Sequence, residues 1–253
     1  MSWSKPEYFP NLGKMNTSRQ YDVIAFDADD TLWVNEPIFH EVEKRFSDLL
    51  SRYIDTSDLA EKLFSTEMKN LELFGYGVKG FVLSMIETGL ELTDMRLKGE
   101  DVQEIIDMGK SMLSHPVELL SGVRDTVLRL EDDYKLMIIT KGDLFDQESK
   151  IARSGLAEHF AHVEILSEKT PEQYQRVLNK YAIEPDRFLM IGNSVKSDIL
   201  PVLKIGGHAV HIPFHLTWAH EQVTEEHISG YHFHSLHRMA DLLDFIRGTS
   251  ANA

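Results

Sequence analysis

Asp27-Ala28-Asp29-Asp30-Thr31 directly follows the apolar, β-branched run Tyr21–Phe26 (YDVIAF). Two carboxylates one residue apart at a strand end can converge on one point. One then serves as nucleophile and metal ligand, the other as acid or base. Taken alone, the cluster also reads as an Asp-rich turn or a helix N-cap. A calcium loop of the EF-hand type is excluded, because Leu32 and Ile38 stand where its central glycine and closing glutamate must be.

Three later segments carry complementary groups. The run KLMIIT ends at Thr140 and leads into Lys141-Gly142-Asp143, a hydroxyl and loop amides placed to hold phosphate oxygens. Lys169 sits in Ser167-Glu168-Lys169-Thr170-Pro171, where a lone lysine before a helix is ordinarily solvated. FLMI runs into Gly192-Asn193-Ser194-Val195-Lys196-Ser197-Asp198-Ile199, a polar loop that carries an acid back to the strand ends. Each piece is weak in isolation. In this order, each at the end of a predicted strand, they describe one site.

The elements that must position these groups are legible from periodicity. Short apolar runs at Tyr21–Phe26, Lys135–Thr140, His162–Leu166, Arg187–Ile191 and Ala209–Pro213 read as buried strands. Helical patterns over about 121–132, 143–154, 171–181 and 195–205 alternate with them. The predicted fold class is α/β, a Rossmann-like doubly wound parallel sheet with helices on both faces. Such sheets bind ligands at the carboxyl ends of their strands. Helix-like blocks at Ile38–Tyr53, Ser57–Leu73, Val78–Gly89 and Gly99–Leu113 contain no convincing strand between them. Residues 36–117 are therefore expected to form an inserted, mostly helical cap domain, with 20–35 and 118–253 as the core and 1–19 as a flexible extension.

Composition narrows the function. A formal net charge of −15 over 253 residues argues against nucleic acid or an anionic membrane as partner. An anionic substrate would need a local positive pocket, which a metal ion supplies most simply. The absence of cysteine excludes disulfides and thiolate catalysis. No apolar run is long enough to span a bilayer, and the first residues lack the apolar stretch of a signal peptide, so the expected location is cytoplasmic. A monomer or homodimer is expected.

From about Tyr21 to Pro213 the chain resembles the haloacid dehalogenase (HAD) superfamily, most closely its phosphatases. DADDTLW is similar to the first motif of that family, Thr140 to the second, Lys169 to the third and GNSVKSDI to the fourth. The helical insertion resembles the family's first class of cap. The resemblance implies a magnesium-dependent phosphatase acting on a small phosphorylated metabolite. Asp27 would attack phosphorus, and Asp29 would protonate the leaving oxygen and then deprotonate water, with its pKa raised by burial or a neighbouring carboxylate. Thr140, Lys141 and Lys169 would hold the phosphoryl group. Asp27, the Asp29 carbonyl, Asn193 and Asp198 would surround Mg2+. One departure concerns Asn193, since the fourth motif often begins Gly-Asp. Asp198 is therefore expected as the principal acidic ligand of that loop, with Asn193 in direct or water-mediated contact.

Within the cap, Phe74-Gly75-Tyr76-Gly77-Val78-Lys79-Gly80-Phe81 reads either as a helix–helix connection or as a substrate loop presenting Tyr76 and Lys79. It lacks the spacing of a P-loop. The late histidines are expected to be structural, and Trp33 to pack in the core or line the pocket entrance. A phosphomutase remains open as an alternative. So does a dehalogenase, although halide leaves without a proton and gives Asp29 no task. A phospho-accepting signalling or binding protein is the third alternative.

Overall fold

The structure is a computed structural model, and it describes residues 20–251; the expected extension at 1–19 lies outside the described residues. Its centre is a six-stranded sheet of β1 (Val23–Phe26), β2 (Lys135–Lys141), β3 (His162–Leu166), β4 (Phe188–Gly192), β5 (His208–His211) and β6 (His234–Ser235), in spatial order β3-β2-β1-β4-β5-β6. All five pairings are parallel. The chain grows outward from β1 in one direction to β3, then crosses back to β4 on the other side. That reversal puts a topological switch point between β1 and β4, the place where such sheets bind ligands.

Alternation of side chains along the strands sorts the core into two layers. Ile24 and Phe26 join Leu136 and Ile138 on one face, covered by α5 (Val123–Glu131), α6 (Leu144–Arg153) and α10 (Leu242–Ala251). Val23 and Ala25 join Met137 and Ile139 on the other, beneath α7 (Pro171–Tyr181) and α8 (Leu200–Lys204). The edge strand β6 was not foreseen; its two residues extend the sheet by pairing with Val210 and His211. Between β5 and β6 the chain passes through the short helix α9 (Glu225–Ile228). No helix of the described residues is long and apolar enough to cross a membrane.

Between β1 and α5 come four helices, α1 (Glu36–Leu50), α2 (Leu59–Phe74), α3 (Val78–Leu92) and α4 (Gly99–Ser114). They bury an apolar cluster of their own around Phe46, Leu49, Met85, Ile105 and Met108. Asp30 starts this layer. It takes the left-handed conformation at φ 59°, which Asp tolerates better than most residues. Its carboxylate then accepts from the Asn35 and Glu36 amides at 2.9 and 3.0 Å, satisfying the open start of α1.

Candidate active site

Asp27 leaves β1 at the switch point, with its amide bonded to the Ile191 carbonyl of β4 at 2.9 Å. Lys169, carried by the turn before α7, reaches across the strand ends. Its ammonium lies 2.5 Å from Asp27 Oδ1 and 2.6 Å from Asp198 Oδ1. All three groups are buried. Asp198 comes from a widened helical turn at Val195–Ile199, and its Oδ2 accepts the Ser194 amide at 3.0 Å.

Two carboxylates sharing one ammonium leave a net negative charge in a buried place. Burial, with Asp198 adding to it, raises the Asp27 pKa against the pull of Lys169. Burial opposes the Lys169 charge as well, yet Asp198 and Asp27 outweigh it and hold its pKa well above the usual lysine range.

Asp29 also lines the pocket. Its carboxylate accepts from Trp33 Nε1 at 2.7 Å, Gln147 Nε2 at 2.7 Å and Lys150 Nζ at 2.9 Å. Three donors therefore surround this carboxylate. Lys150 also donates to Asn35 Oδ1 at 3.0 Å; burial works against its charge, but Asp29 and Asp146 raise its pKa overall. Trp33 is core, as one of its two readings allowed, and its indole holds Asp29.

Thr140 and Lys141 line the pocket from the end of β2. Lys141 is fully engaged by the protein: its ammonium pairs with Glu221, donates to Ser197 Oγ at 3.1 Å and sits 4.3 Å above the Tyr76 ring. Glu221 also accepts from Ser194 and Ser197. Burial alone would raise its pKa, but Lys141 and the two hydroxyls bring it down to about 2. Tyr76 lines the pocket too and donates to Glu168 Oε2 at 2.6 Å. Lys79 is the site residue that the structure places elsewhere. It is absent from the lining, and its ammonium binds Asp143 at the N-terminus of α6, 2.9 Å away. Gly77 permits that docking, since a Cβ there would come within 3.3 Å of Asp143.

Asp198 also lines the pocket, its Oδ1 accepting from Lys169 and its Oδ2 from the Ser194 amide. Asn193 lies beside Asp27: Thr31 Oγ1 is 3.3 Å from Asp27 Oδ2 and 3.2 Å from Asn193 Oδ1. Among the described residues no three His, Cys, Asp or Glu side chains form a ligand set. Carboxylates, an amide oxygen and main-chain carbonyls are nevertheless hard oxygen donors of the kind magnesium takes. The uncompensated negative charge beside them fits a divalent cation.

Lys150, Gln147, Glu221 and Ser194 were missed as site residues. For Gln147 and Lys150 a signal existed: they lie three apart on α6, hence on one face of a helix that starts beside Thr140.

A strand-end nucleophile position, a buried lysine and a helical layer over the switch point define a recognisable class of hydrolase. The family model for haloacid dehalogenase-like hydrolases matches residues 21–206, and the chain belongs to that family. A haloacid dehalogenase-like hydrolase from Xanthomonas campestris is 39% identical, with TM-score 0.82, over 92% of this chain and 94% of that one. A glyceraldehyde 3-phosphate phosphatase from Pyrococcus furiosus is 26% identical over 211 residues, 74% of this chain and 79% of that protein. A 2-haloacid dehalogenase from Pseudomonas syringae shares the fold at 19% identity and TM-score 0.60, over 90% of this chain and 99% of that one.

Proposed function

We propose that this hydrolase is a magnesium-dependent phosphatase, cleaving small phosphate monoesters through an aspartyl-phosphate on Asp27. The observation that carries the reading is the buried 2.5 Å contact between Asp27 and Lys169 at the floor of the pocket. An ammonium in that position holds the carboxylate in place and lowers the repulsion when a phosphate dianion approaches.

In the first step an Asp27 oxygen attacks phosphorus while the bond to the alcohol oxygen breaks. Asp29, having first taken up a proton from water, gives that proton to the departing oxygen. In the second step water attacks the same phosphorus, its proton passes to Asp29, and the bond to Asp27 breaks to release inorganic phosphate. Lys169 and Thr140 hold the phosphoryl oxygens throughout. Trp33, Gln147 and Lys150 hold the Asp29 carboxylate. Asp27, the Asp29 carbonyl, Asn193 and Asp198 would hold Mg2+. When bound, the ion supplies positive charge to the phosphoryl oxygens. The helical layer over the pocket favours small phosphorylated metabolites over phosphoproteins, because a bulky chain has no room beneath it. The expected setting is the cytoplasm.

The test is phosphate release from a panel of small esters with magnesium, with EDTA, and with Asp27→Asn. The reading predicts release with magnesium only, abolished by the substitution. Turnover by Asp27→Asn close to that of the parent protein would refute the nucleophile, and indifference to EDTA would remove the metal.

A further inference from the structure

The pocket of about 190 Å³ has two chemically different ends. The core end holds every lysine of its lining, and each is already paired: Lys169 with Asp27 and Asp198, Lys150 with Asp29, Lys141 with Glu221. The opposite end is lined by residues of α1, α2 and α3 and of the loop after β5. Glu36, Glu43 and Glu67 stand there with Phe39, Phe81 and Trp218.

Among the described lining residues, that end has no lysine or arginine. His40, half exposed on the flank of α1, lies 3.1 Å from Glu43 and 3.9 Å from Glu36. Glu67 stands apart from it. The Trp218 side chain hydrogen-bonds Glu67, while Glu67 Oε1 is buried with no hydrogen-bond partner.

A buried carboxylate oxygen without a partner is costly to keep, and three carboxylates in one apolar enclosure repel each other. Burial first, then Glu43 and Glu36, push the Glu67 pKa up to about 8. Burial likewise brings Glu36 to about 7, with Glu43 adding to it against His40. Nothing in the phosphoryl chemistry uses these groups. A ligand bearing a positive charge would resolve them together: it would give Glu67 Oε1 a donor, screen the three acids and lie against aromatic faces.

Resting on the phosphatase reading, we propose that the substrate is a phosphate monoester whose alcohol part carries an ammonium group. The phosphate lies at Asp27 and Lys169, and the cation between Glu67, Glu43 and Glu36. A compact amino-alcohol or amino-sugar phosphate has this chemistry. A neutral polyol phosphate does not, although protonated glutamates could donate to its hydroxyls, so the two classes are the arms of the test.

The experiment compares kcat/KM for matched pairs with magnesium at pH 7.5: 2-aminoethyl against 2-hydroxyethyl phosphate, and glucosamine 6-phosphate against glucose 6-phosphate. The expected result is a preference of about tenfold or more for the ammonium ester in at least one pair, falling towards unity in Glu67→Gln. Because both esters meet the same folded fraction, the ratio is insensitive to loss of protein; should Glu67→Gln fail to fold, Glu43→Gln serves. Equal or better turnover of the neutral ester in both pairs overturns the inference, as does a preference that survives both substitutions. In those cases phosphate is still released and the phosphatase reading stands. No release from any ester, 4-nitrophenyl phosphate included, sinks both.

Discussion

Gly192 and Asp198 compete for the same space: a Cβ on Gly192 would lie 2.2 Å from Asp198 Oδ2. Only a residue without a side chain lets the acid fold back over the end of β4 and meet Lys169. Gly192→Ala must therefore displace Asp198, and with it the ammonium that holds Asp27. A displacement of about 1 Å near the chemistry costs about 100-fold in rate. The expected outcome is a loss of that order in kcat with the circular dichroism spectrum unchanged; a kcat within threefold of the parent would contradict it.

Lys169 separates two buried carboxylates, so its removal leaves both without a counter-charge. Breaking a buried ion pair from one side costs about 3–5 kcal/mol. Lys169→Met is expected to lose stability on that scale in urea unfolding, besides losing activity. A change below about 1 kcal/mol would show that the cluster is not held together by charge.

Lys150 acts through Asp29, whose carboxylate it holds at 2.9 Å. Lys150→Met is expected to slow esters of poorly leaving alcohols more than 4-nitrophenyl phosphate, which needs little protonation. The pH–rate profile should shift with it, and Lys150→Arg should restore part of the difference. Equal losses across leaving groups would reduce Lys150 to a structural role.

Lys79 provides a contrast. Its pair with Asp143 is more than half exposed on the lysine side, and such pairs contribute about 0–1 kcal/mol. Lys79→Ala should leave KM within twofold and stability within about 1 kcal/mol. A large rise in KM would return the loop to the role of a substrate contact.

Glu67 gives a prediction in pH. Its folded pKa is raised to about 8 from an ordinary value of 4.5, so the folded state binds a proton more tightly than the unfolded one. The stability that this proton contributes is complete below about pH 4.5 and is lost as pH rises through 8. Glu67→Gln, which cannot ionise, should therefore have a flatter Tm between pH 5 and pH 8.5, with its advantage growing towards the alkaline end. A parallel pair of curves would contradict a Glu67 carboxylate held in its protonated form by burial.

Much of this architecture could be read from the chain alone. Runs such as VIAF and KLMIIT, buried on both sheet faces, announce parallel strands by their unbroken apolarity. The residues at their ends then fall at the switch point by topology, which is why Asp27, Thr140, Lys169 and Asn193 meet. Residues whose position depends on packing were not legible. Glu221 reaches Lys141 from a loop beyond β5, and nothing in its sequence neighbourhood marks it. Glu36, Glu43 and Glu67 come from α1 and α2, and no motif in the chain marks them; only the packing of the helices brings them to the pocket. The commitment of Asp198 to Lys169 was equally hidden, because its spacing allows either a ligand or an ion-pair partner. The strand β6, two residues long, offers no period to detect.

The central claim is a covalent bond between phosphorus and Asp27, and trapping that bond tests it most directly. The protein, mixed with magnesium and an ester it hydrolyses, is quenched within the first turnover and reduced with borohydride, which converts an acyl phosphate to an alcohol. Mass spectrometry of the peptides should then find homoserine at position 27, and none in Asp27→Asn. Turnover that proceeds with Asp27 unmodified, or with the modification on another carboxylate, would contradict the account.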